Sequence, residues 1–120
     1  MLIDSPRFNA PLARRIAALG GLAAIVLTHR DDVADQDRWA AHFSCPRWIH
    51  AADASAAPGA EHQLGGTEAQ SGPAGLLLVP TPGHTAGSLV AVRGEAGTAE
   101  GQVLFSGDHL WWSERLGRVV

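Results

Sequence analysis

An α/β fold, built from alternating strands and helices in one small domain, is what this sequence predicts. Three observations carry that expectation. Ala23-Ala24-Ile25-Val26-Leu27 is a continuous apolar run; Leu12, Ile16 and Leu19 recur at helical spacing ahead of Gly20-Gly21; and short loops bearing His or Asp directly follow apolar runs. A continuous apolar run fits a strand buried on both faces, as in a sheet covered by helices. Apolar residues three and four apart fit a helix with one buried stripe, and paired glycines stop it.

The elements follow in order. Leu2-Ile3 reads as the end of a strand, and Asp4-Ser5-Pro6 offers caps and a helix-entry proline. The first helix carries Leu12, Ile16 and Leu19, and the strand at Ala23–Leu27 follows. A second helix is expected from about Val33 to Phe43, with Trp39 and Phe43 four apart on one face. Arg47-Trp48-Ile49-His50 reads as a short strand, and the alanine-rich Ala51 to Ala60 as a short helix broken at Pro58-Gly59. Glu61 to Gly75 is polar and glycine-rich, a loop with a weak strand. Gly75–Val79, Leu89–Val92 and Val103–Phe105 are further strands, the last two joined by a loose hairpin connection from Gly94 to Gly101. No closing element is expected after Trp111-Trp112.

Composition narrows the function classes. A chain of 120 residues fits a single domain, and its apolar fraction is that of a globular protein. The net charge is −3, with nine arginines and no lysine, and no basic run speaks for nucleic acid as a partner. No apolar stretch reaches the roughly 20 residues that span a membrane, and the N-terminus lacks the pattern of a signal peptide. A cytoplasmic location is therefore expected. Cys45 is the single cysteine, so neither an internal disulfide nor a thiolate zinc site is expected, and its role is that of a small buried hydrophobe.

The chemistry lies in three segments: Thr28-His29-Arg30-Asp31-Asp32, Thr81-Pro82-Gly83-His84-Thr85-Ala86-Gly87-Ser88, and Ser106-Gly107-Asp108-His109. Each follows a strand-like run, and rigid strand ends with short loops make ligands converge. His29 and Asp31, two apart, share one side of an extended segment. His84 enters from a glycine-flanked turn and Asp108 from a third loop. A mixed His and carboxylate set suits zinc, manganese or iron without choosing among them. The plainer readings are that Asp31 and Asp32 cap the following helix and that Asp108 ends a turn. His42, His50 and His62 stand outside any motif, and His109 points away from Asp108 in an extended segment.

These segments resemble the metallo-β-lactamase superfamily, which includes glyoxalase II-like hydrolases. Gly83-His84-Thr85-Ala86-Gly87-Ser88 is similar to the family's G-H-T-P-G-S motif, with Ala86 in place of proline. Leu104-Phe105-Ser106-Gly107-Asp108 resembles the strand that delivers its metal-bridging aspartate, and Leu2-Ile3-Asp4 the strand and aspartate that precede its first helix. The departure falls in H-x-H-x-D-H, which reads His29-Arg30-Asp31-Asp32-Val33-Ala34 here. Val33 and Ala34 cannot bind metal; Asp35-Gln36 stand in only if the loop bulges by two residues.

The resemblance implies an αββα sandwich, with residues 1–120 forming a single partial domain, roughly its N-terminal half, a mixed sheet flanked by helices. It implies a metal-dependent hydrolase in which metal-bound hydroxide attacks an ester, thioester, amide or phosphodiester of a small-molecule substrate. One ion, zinc with iron or manganese as substitutes, is expected on His29, Asp31, His84 and Asp108, with Asp108 also serving as catalytic base. The decayed motif leaves a second reading, a non-catalytic binding or assembly module on the same fold. A missing half leaves one sheet face without a partner, and such exposed apolar surface favours a homo-oligomer that covers it.

Overall fold

The computed structural model describes residues 1–95 and 97–120. Strands β1 (Leu2–Ile3), β2 (Ile25–Val26), β3 (Arg47–His50) and β4 (His62–Leu64) form a parallel sheet in that order. Strands β5 (Gln70–Ser71), β6 (Leu77–Pro80), β7 (Leu89–Arg93) and β8 (Val103–Phe105) form an antiparallel one, also in chain order. Parallel and antiparallel pairing thus occupy separate sheets.

Helices α1 (Ala10–Ala18) and α2 (Gln36–Phe43) cover one face of the parallel sheet. Asn9 opens α1 by accepting from the Leu12 N–H at 2.9 Å, and Gly21 closes it with its N–H on the Ile16 carbonyl. The helix packs Ala13, Leu12 and Ile16 against Ile25 and Leu27. Trp39 of α2 is fully buried in the same cluster, with its ring parallel to that of Phe43 and its indole N–H on the Pro6 carbonyl at 2.8 Å. Cys45 belongs to this core, and burial pushes its thiol pKa up, which keeps it protonated and inert.

α2 begins at Gln36 rather than Val33. Val33 bridges to Ser5, and Asp35 turns left-handed (φ 49°) with its carboxylate accepting from the Phe8 N–H at 2.7 Å. The loop after β2 is therefore held by the N-terminal segment and cannot continue as helix.

A second core lies between the two sheets: Val26 and Leu64 meet Leu76, Leu78, Leu89 and Ala91, with Ile3, Trp48 and Phe105 at its edge. Three layers result: helices, parallel sheet, antiparallel sheet. On the far face of the third layer Leu77, Val92 and Leu104 stand in one register row, with Leu77 and Leu104 exposed. The inward row, Leu78 and Ala91, is fully buried. The outer face of the antiparallel sheet thus carries an exposed apolar pair, Leu77 and Leu104.

The connection 94–101 joins β7 to β8, and its Ala96 lies outside the described residues. The chain does not end without structure after Trp111: β9 (Trp112–Ser113) and β10 (Arg118–Val119) pair antiparallel. Trp111 and Val120 exchange backbone hydrogen bonds at 3.1 and 2.9 Å, and the Ser113 carbonyl collects the Leu116 and Gly117 N–H groups to form the turn. No helix among the described residues is long and apolar enough to cross a membrane.

Arg47 pins the end of the sheet to the helices. It meets Glu61 at 3.1 Å, the Gln36 amide oxygen at 2.8 Å and the Gly59 carbonyl at 2.6 Å. The hydrogen bonds from Arg47 hold the Glu61 carboxyl down at about 2, against an ordinary 4.5. A depressed folded pKa gives stability that is present above the ordinary value and lost as pH falls through the folded one. Unfolding free energy should therefore decline between pH 4.5 and about 2, by on the order of 1 kcal/mol for a half-exposed carboxylate screened by solvent. Denaturant melts across that range should show the decline, and Glu61→Gln should flatten it.

Candidate metal centre

The centre forms where the two sheets meet. Leu27 of the β2 end donates to the Trp48 carbonyl, and Leu89 of β7 donates across to the Thr28 carbonyl at 2.9 Å. His29, the next residue, is 1% exposed. Its Nδ1 lies 2.8 Å from the Thr28 hydroxyl oxygen, which in turn lies 2.8 Å from Asp4 Oδ2. Asp4 also accepts from the Thr28 N–H at 2.7 Å.

That relay sets the tautomer. With Asp4 ionised, its carboxylate only accepts, so the Thr28 hydroxyl donates its hydrogen bond to Asp4 and accepts from His29 Nδ1–H. His29 Nε2 then carries a bare lone pair. Burial pushes the Asp4 pKa up, while the Thr28 hydrogen bonds and nearby His29 pull it back. His29 Nε2 is buried and has no hydrogen-bond partner. Buried nitrogens rarely go unpaired, and each such case requires a cause.

The other donors surround that nitrogen. Asp108 Oδ2 is 3.6 Å away and Asp32 Oδ2 is 3.8 Å away. His84 Nε2 lies 3.1 Å from Asp31 Oδ2 and 3.6 Å from Asp108 Oδ2. The two imidazoles meet edge to face, centroids 4.9 Å apart. His84 rides on a tight turn closed by Thr81 N–H on the Ser88 carbonyl and by Gly83 N–H on the Thr85 carbonyl. Asp108 lies in a single 3-10 turn after β8, led by Gly107 at φ +50°. A side chain on Gly107 would run into that of Thr28, so glycine lets the Asp108 loop seat against the His29 strand end.

His29, Asp31 and His84 have spacing compatible with a divalent ion. Bonds of about 2.0 Å in tetrahedral geometry put ligand atoms about 3.3 Å apart; the four histidine–carboxylate pairs named above are 3.1 to 3.8 Å apart. His29, Asp31 and His84 each offer an atom within 4.8 Å of the others'. Three carboxylates converge with two imidazoles, and Arg30, 4.0 Å from Asp31, is the one arginine paired with them among the described residues. A cation relieves that accumulated negative charge. The centre opens onto a cavity of about 350 Å³ lined by His84, Asp108 and Trp111.

Of the sequence-predicted residues, His29, Asp31 and His84 each bring a ligand atom within 4.8 Å of the others', and Asp108 lies 3.6 Å from both histidines. Asp32, read from sequence as a helix cap, instead faces His29. Asp35 and Gln36 do not stand in for lost ligands: Asp35 is taken by Phe8, and Gln36 is buried against Arg47. His50 is structural, accepting the Ala52 N–H on Nδ1 and meeting the Gly66 carbonyl through Nε2. His62 stacks on Trp48, and His42 packs on Phe8 and Phe43. Sequence reasoning missed the Asp4–Thr28 relay, whose only trace is the placement of Asp4 and Thr28 at the ends of neighbouring parallel strands.

Comparison with solved structures places this architecture. The metallo-β-lactamase SMB-1, in a complex with mercaptoacetic acid, matches over 86% of this chain at 18% identity and a TM-score of 0.63. BJP-1, a subclass B3 metallo-β-lactamase of Bradyrhizobium japonicum, matches over 87% at 15% identity and 0.61. A Cronobacter sakazakii metallo-β-lactamase with a HARLDQ motif matches over 87% at 20% identity and 0.60. The chain has the metallo-β-lactamase fold. It spans about half the length of those structures, 51%, 50% and 50% respectively. No protein-family profile and no curated protein matches the sequence.

Proposed function

We propose that this chain forms the metal-binding part of a hydrolase acting on a small-molecule ester, thioester, amide or phosphodiester. The observation that carries the reading is His29 Nε2, a buried nitrogen without a hydrogen-bond partner among the described residues, with Asp32 and Asp108 within 4 Å and with Asp31 and His84 offering ligand atoms within 4.8 Å. His29, Asp31, His84 and Asp108 would hold one ion, with zinc, iron and manganese all compatible with the donor set. Such an ion supplies a Lewis acid that polarises a carbonyl or phosphoryl oxygen and makes water acidic near neutral pH. Thr28 and Asp4 hold His29 in its ligating tautomer. Asp108, half-exposed and 3.6 Å from both histidines, faces the cavity and is placed to take a proton there. Trp111 gives that cavity an apolar wall. The HARLDQ motif of the Cronobacter protein likewise keeps the first His and lacks the two later histidines of H-x-H-x-D-H, although it keeps the Asp that Val33 replaces here. That likeness supports a centre on this fold that lacks the later histidines of H-x-H-x-D-H.

The exposed row of Leu77 and Leu104 favours a second reading, a non-catalytic module whose outer face packs against a second copy of the chain. Elemental analysis separates the two. After loading with zinc, ferrous iron or manganese and removal of excess ion, the hydrolase reading expects about one ion per chain, lost in His84→Ala. No ion retained under any of the three conditions would leave the assembly module as the better account.

A further inference from the structure

Asp53 is fully buried, 1% exposed, and lies outside the candidate centre. Its carboxylate accepts the Arg30 N–H at 3.1 Å, the Gly87 N–H at 3.1 Å and the Thr85 hydroxyl. Thr85 is fixed in turn by Ser88, whose hydroxyl oxygen lies 2.9 Å from both the Thr85 nitrogen and the Thr85 hydroxyl. Gly87 must be glycine for this contact, since a Cβ there would fall 2.6 Å from the Asp53 carboxyl carbon. No cation pairs with Asp53 among the described residues.

A buried carboxylate held only by neutral donors is an expensive way to join two loops. Its placement explains the expense. Arg30 lies between His29 and Asp31, and Thr85 directly follows His84. The two oxygens of Asp53 therefore grip the backbone beside three of the four proposed ligands, from two loops remote in sequence. We infer that Asp53 is a positioning residue for the metal centre: it sets the distance between the His29–Asp31 segment and the His84 turn and touches neither the ion nor substrate. This inference rests on the metal-binding reading. It predicts that the Asp53–Thr85 contact controls ion affinity rather than fold alone.

Cobalt(II) and zinc affinities, measured by competition with a chromophoric chelator, test it alongside circular dichroism and thermal unfolding of each ion-free variant. Thr85→Ser keeps the hydroxyl and should bind within about threefold of the unaltered chain. Thr85→Val and Asp53→Asn should bind roughly 10- to 100-fold more weakly, the range for lost outer partners of metal ligands, and should alter the cobalt ligand-field bands while native dichroism is kept. Thr85→Val binding as tightly as Thr85→Ser, with the unaltered chain loading normally, would overturn the role of Asp53 and leave the metal reading intact. An unaltered chain that binds no cobalt or zinc would sink the metal reading, and this inference with it. Should Thr85→Val and Asp53→Asn both unfold without ion, Asp53 serves the fold as a whole and the positioning role fails.

Discussion

His29→Ala should weaken divalent-ion binding by more than 100-fold, measured as a competition titration against a chelator of known affinity. Losing an outer partner of a metal ligand costs about 10- to 100-fold, and His29 is proposed as a ligand itself, the one buried donor of the set. Asp4→Asn should weaken binding by about tenfold, because Asp4 acts on His29 through the Thr28 hydroxyl. An asparagine amide can donate to the Thr28 hydroxyl, which frees that hydroxyl to donate to His29 Nδ1. The ring proton then moves to Nε2, and a protonated nitrogen cannot ligate. Nitrogen-15 shifts of the ion-free imidazole would read this exchange directly. Unchanged affinity in both variants would show that no ion sits on His29.

Trp39→Ala should cost about 3–5 kcal/mol of folding stability, the range for truncating a large buried aromatic. Trp39 is wholly enclosed, stacks on Phe43, touches Phe8 at a centroid distance of 4.5 Å and holds the Pro6 carbonyl. It therefore ties α2 to the N-terminal segment as well as filling the helix–sheet core. Urea unfolding followed by dichroism measures the loss, and a cost under about 1 kcal/mol would contradict the packing described. Trp39→Phe should recover a good part of it, lacking the hydrogen bond to Pro6.

Local pattern made the architecture legible. The apolar run at Ile25–Val26, the Leu12–Ile16 stripe and the Trp39–Phe43 pair each report the environment of their own few residues, and each lies in the element expected. The placement of His84 and Asp108 in turns after strands was legible because glycines bound those turns. Asp53 was not. It lies in an alanine-rich stretch where an aspartate looks solvated, and its partners are 23 to 34 residues away. Asp32 was missed for a related reason: an acidic residue shortly before a helix reads as a cap, and only the Ser5–Val33 bridge shows that the helix starts later. The β9–β10 hairpin was missed because its ladder is two residues long, below what alternation in sequence can reveal.

Asp31 and His84 meet across 53 residues of chain. An ion gripping both would fasten two segments that a random chain seldom brings together, and the strands between them must already be in place before it can do so. On the proposed reading, ion binding would follow assembly of those strands. A bound ion would act as a latch on the finished fold, stabilising it by mass action because the unfolded chain does not offer the assembled site. With a single cysteine, the chain has no internal disulfide to do the same work.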